Sequence, residues 1–73
     1  MDVRLEKIKI ALEANDLNGA VDMLDRLMAG QQVNTAFVIE RTIGNIENIL
    51  KSLCVSLKDV IRYELPAIEK SLN

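Results

Sequence analysis

Apolar residues recur along this chain at alternating spacings of three and four, the pattern of helices with one buried face. Leu5, Ile8 and Leu12 form the first stripe, which Val3, Ile10 and Ala11 widen. Asp2 stands in the N-cap position, where a carboxylate can accept from the amides that a first helical turn leaves unpaired. Asn15 tolerates the left-handed conformation and predicts the stop. A second stripe, Ala20, Val21, Leu24, Leu27 and Met28, follows Asp16 as its cap, carries Asp22 and Arg26 as an i,i+4 ion pair, and closes at Gly30. So short a connection between two amphipathic helices predicts an antiparallel αα-hairpin over residues 2–30.

The second half of the chain is patterned more regularly. Asn34 is the expected N-cap, with Val33 and Val38 placed as a hydrophobic staple around it. Ala36, Ile39, Ile43, Ile46, Leu50, Leu53, Leu57 and Val60 then keep a heptad seam for more than three heptads. Neither Gly nor Pro interrupts the chain between Gly44 and Pro66. One reading is therefore a single helix of about 30 residues, about 45 Å long, whose far end would protrude beyond the hairpin. The rival reading breaks it at Ser56, which with Asp59 forms a capping box and with Val55 and Val60 a staple, giving a four-helix bundle. The unbroken helix is preferred because the seam keeps phase straight through Ser56. Beyond Val60 the stripe changes track to Ile61, Leu65, Ile68 and Leu72. Pro66 lies inside it, which predicts a kinked C-terminal segment.

The stretch from Ala11 to Leu24 resembles the loop and second helix of a tetratricopeptide repeat, where a small residue and a large apolar one sit at matching offsets. The resemblance implies a helical hairpin. It covers under a third of the chain, and the repeat's aromatic, glycine and closing proline positions hold Arg4, Ile8 and Gln32, so membership of that family is not inferred. The expected fold class is all-α: one small helical bundle over residues 1–73, with the N-terminal hairpin followed by a long helix, or two helices, over 34–72.

Length changes the picture. A domain of 73 residues rarely gains more than about 3 to 5 kcal/mol from its core without disulfides, metal or association. One cysteine and no histidine leave no internal disulfide and no zinc ligand set. Association is the remaining support. Hydrophobic residues make up 49% of the chain, more aliphatic surface than so short a monomer is expected to hide. A homo-oligomer, most simply a dimer, or an obligate protein partner is therefore expected.

The candidate chemistry is sparse. The chain has no histidine, no Gly-rich phosphate loop and no clustered carboxylates, so no enzyme, metal or cofactor is predicted. Cys54, flanked by Leu53 and Val55 with Lys51 and Lys58 nearby, reads as a small buried hydrophobe rather than a reactive thiol. The net charge of −2 comes from interleaved acids and bases, which argues against nucleic acid as a partner. Charges throughout the first residues exclude the apolar core of a signal peptide, no uncharged stretch approaches the roughly 18 residues of a membrane span, and a lone free cysteine fits a cytoplasmic protein.

The functional expectation is a non-catalytic protein–protein interaction module: a self-associating regulator or inhibitor, adaptor-like or antirepressor-like, that binds a protein partner through an aliphatic helix face. The residues expected to carry it are Ile46, Leu50, Leu53, Leu57, Val60, Ile61, Tyr63, Leu65, Ile68 and Leu72. The alternative is a small helix-turn-helix-like DNA-binding regulator using residues 34–41, although Arg26 and Arg41 are the only bases near that segment.

Overall fold

Asp2 and Asp16 start helices as their positions predict. In the computed structural model, which describes residues 2–72, Asp2 Oδ1 accepts from the Arg4 amide at 2.8 Å and Asp16 Oδ1 from the Gly19 amide at 3.1 Å. These caps open α1 (Val3–Glu13) and α2 (Leu17–Met28); α3 is Val33–Leu50. The last helix, α4, spans 57–72. It begins with the turn Leu57–Asp59, passes through a π-helical stretch Val60–Glu64 and ends as Leu65–Leu72.

Two of the helices end in the same way. At the end of α1, Asn15 takes φ 61°, its amide donates to the Leu12 carbonyl and the Asp16 amide to that of Ala11. At the end of α3, Ser52 takes φ 61°, with the Ser52 amide on Ile49 O and the Leu53 amide on Asn48 O. Both are Schellman closures, which pair carbonyls that the last helical turn leaves open. Gly30, at φ 82°, makes the tight turn after α2, and the Gln31 amide donates to Met28 O across it.

The aliphatic stripes meet in one core: Leu5, Ile8 and Leu12 from α1, Ala20, Leu24 and Leu27 from α2, Ile39, Ile43 and Ile46 from α3, and Val60, Leu65 and Ile68 from α4. Each helix packs on its sequence neighbour, and α4 closes the bundle against α1. The result measures 31 × 21 × 19 Å. Polar side chains fasten α4 in place. Thr35, early in α3, donates to the Ser71 carbonyl near the end of α4 at 3.0 Å, and Asn45, later in α3, donates to Glu64 at the middle of α4 at 2.8 Å. This order makes α3 and α4 antiparallel. The Asp2 amide adds a bond to Glu69 Oε2 at 2.9 Å.

Three expectations are corrected. The third helix is capped two residues earlier than expected: Gln32, not Asn34, occupies the N-cap position, without a side-chain bond, and Val33, 84% exposed, makes no staple. The unbroken long helix does not form, because Ser52 turns the chain out of it and residues 51–56 are a connection. The break also comes earlier than the Ser56 reading placed it. Ser56 is the N-cap residue of α4, but its side chain makes no capping bond.

The change of track after Val60 has a local cause. The Leu65 amide donates to Val60 O, an i→i−5 bond that places residues five apart on one face, and both side chains are fully buried. Pro66 comes next and has no amide with which to close an α-turn onto Arg62.

Candidate interaction surfaces

The ten residues expected at an interface divide by depth. Ile46, Val60, Leu65 and Ile68 are fully buried in the chain's own core, which corrects their assignment to a partner surface. The reason is the reversal at Ser52: α4 folds back along α3 and covers the seam that an unbroken helix would have left open. Leu57, Ile61 and Leu72 are half-buried against the core's edge. Leu50 (47% exposed), Leu53 (55%) and Tyr63 (61%) remain at the surface. Leu50 and Leu53 flank the Schellman turn and Tyr63 precedes Glu64, the residue that Asn45 holds against α3. The structure thus leaves Leu50, Leu53 and Tyr63 of the predicted set at the surface, the first two at the α3–α4 connection, and takes the rest wholly or partly inside.

Sequence reasoning missed other exposed apolar residues. Val33 and Phe37, 66% exposed, stand one turn apart on the outer side of α3, and Val3 and Ile10 stand two turns apart on α1. Val3 and Ile10 do not widen the buried stripe as expected, and neither falls at the three-and-four spacing of Leu5, Ile8 and Leu12. The chain's two aromatic residues, Phe37 and Tyr63, therefore both lie outside a core built wholly of aliphatic side chains.

A hollow of about 250 Å³ lies between the start of α1 and the end of α2. Its apolar side is Met23, Leu27 and Ala29, and Arg4, Lys7 and Arg26 stand around it. This volume is below the range of about 300 to 1,000 Å³ usual for small-molecule sites. Two of the cations are already paired: Arg4 with Asp2 at 3.0 Å and Arg26 with Asp22 at 3.1 Å. The side-chain hydrogen bond from Arg4, joined by that from the Arg4 amide, holds the Asp2 carboxyl below the usual carboxylate range, and the same contact raises Arg4.

Little else at the surface is equipped for chemistry. Cys54 is exposed in the connection between α3 and α4, which corrects its reading as a buried hydrophobe. Among the described residues no group of three or more His, Cys, Asp or Glu side chains is placed to hold a metal ion, and no helix is long and apolar enough to cross a membrane. No protein-family model matches the chain, and neither a curated protein nor a solved structure shows significant similarity to it.

Proposed function

We propose that the protein is a non-catalytic protein–protein interaction module, a small self-associating regulator or inhibitor of the adaptor or antirepressor kind. The observation that carries this reading is the position of the aromatic residues. Aromatic side chains bring the largest apolar area per residue, and interfaces concentrate their binding energy on them. This chain builds its core without them and leaves Phe37 and Tyr63 in water, with Leu50 and Leu53 exposed at the same end of the bundle as the start of α4. Its exposed free thiol fits a reducing, cytoplasmic compartment. The helix-turn-helix alternative has no comparable support, since Arg41 is the one base on α3 and has Glu40 beside it.

Absolute mass by light scattering over a concentration series tests the proposal. The wild-type chain should rise above monomer mass, and Leu53→Asp should return it toward monomer, with an unchanged melting temperature at concentrations where both chains are monomeric, because Leu53 is not part of the core. A wild-type chain that stays monomeric at every concentration would remove self-association from the reading.

A further inference from the structure

The seam Ile46, Leu50, Leu53, Leu57, Val60 stays in helical phase across a connection that is not helical. Inside one folded chain that phase serves nothing, since Leu50 and Leu53 are left at the surface. The connection, Lys51 to Ser56, contains neither Gly nor Pro. It leaves the helix through Ser52 at φ 61°, a conformation that residues with a Cβ adopt only at a cost. Among the described residues the side-chain hydrogen bonds that hold α4, from Thr35 to Ser71, from Asn45 to Glu64 and from the Asp2 amide to Glu69, run to α3 and to the cap of α1 and not to the connection. They would form equally well with an α4 supplied by another copy.

We propose that two copies of this chain exchange α4. In the exchanged dimer the connection straightens, α3 and α4 join into one helix over residues 33–72, and each α4 docks on the partner's α1 and α3 through the contacts described above. Leu50 and Leu53 then lie on the continuous seam where the two long helices cross near the two-fold axis, and each covers the other copy's pair. The occupant is a second copy because only that copy carries a surface already complementary to α4, and short strained connections favour such exchange. The proposal rests on the self-association reading above and specifies its form.

Ser52 provides the test, because its two conformations make opposite demands on the residue. Ser52→Gly relieves the left-handed turn of the closed chain and weakens a continuous helix; Ser52→Ala does the reverse. After refolding over a concentration series, which lets exchange equilibrate, Ser52→Ala should favour dimer and Ser52→Gly monomer. With two hinges per dimer, their dissociation constants should differ by about a hundredfold or more. Spin labels at Arg41→Cys and Lys70→Cys, in a Cys54→Ser chain diluted into unlabelled protein, give a second readout. The closed chain, 31 Å in its longest dimension, holds the two backbone positions closer than that, whereas the exchanged helix sets them about 44 Å apart. A dimer indifferent to both Ser52 substitutions, with the short distance retained, would overturn exchange and leave self-association standing. Ser52→Ala remaining monomeric throughout would overturn both.

Discussion

Asn45 and Glu64 stand 19 residues apart in sequence, yet the Asn45 Nδ2 donates to Glu64 Oε1 at 2.8 Å. On an unbroken helix they would be separated by about 28 Å, so this one bond reports the reversal of the chain between α3 and α4. A bond to a carboxylate in a half-buried setting contributes about 1 to 2 kcal/mol. Asn45→Ala should lower unfolding free energy by roughly that amount, and Glu64→Ala should cost little more in the Asn45→Ala background. Chemical denaturation of the two single variants and the double variant measures the coupling. Strict additivity would mean that the bond contributes nothing to holding α4.

Most of the architecture was legible because each boundary of α1 and α2 carries a residue with a local physical reason to be there: Asp2 and Asp16 as caps, Asn15 and Gly30 at positive φ. The end of α3 carried no such mark. Its left-handed position is filled by Ser52, which has no special tolerance of that region, while the seam continues in phase on both sides. Tertiary packing decided the matter: folding back lets Val60, Leu65 and Ile68 complete a core that α1, α2 and α3 leave open. The candidate surface was misread for the same reason, since periodicity distinguishes a buried stripe from an exposed one only when the chain's path is known. The five-residue step from Val60 to Leu65 was visible as a change of track, but that a π-turn absorbs it depends on a backbone bond that no pattern displays.

Gly19 is required by its neighbour rather than by its own backbone. A Cβ at residue 19 would come within 2.7 Å of Asp16 Cγ, the side chain that caps α2. Gly19→Ala should therefore displace the cap, at about 1 kcal/mol, and offset that loss with a gain in helix propensity of up to about 1 kcal/mol. In an Asp16→Ala background only the gain survives, so the same substitution should become stabilising. Thermal melts of the four chains check the change of sign; a substitution at Gly19 with the same effect in both backgrounds would refute the steric account.

Burial separates two groups of residues that sequence reasoning had treated as one face. Ile68 is fully buried and Leu50 nearly half exposed. Ile68→Val should cost about 0.5 to 1.5 kcal/mol, a measurable part of the stability of so small a domain, whereas Leu50→Ser should fall within about 0.5 kcal/mol of wild type. Denaturant midpoints at a protein concentration low enough to hold both chains monomeric make the comparison. Equal losses at the two positions would contradict the depth assigned to α4.

Acid should weaken the closure of α1 through Asp2. Its carboxyl lies below the ordinary value of 3.8 because it accepts from the Arg4 side chain and amide. A carboxylate whose folded value is depressed contributes stability that is complete above its unfolded value and is lost as pH falls through the folded one. Asp2→Asn keeps a capping acceptor but gives up the charge on Arg4. The wild-type chain should therefore exceed Asp2→Asn in melting temperature at about pH 6 and converge on it by about pH 2. Because the pair is exposed, the difference at pH 6 should be small and should shrink further with added salt. A gap that persisted unchanged into acid would show that the Arg4 contact is not its source.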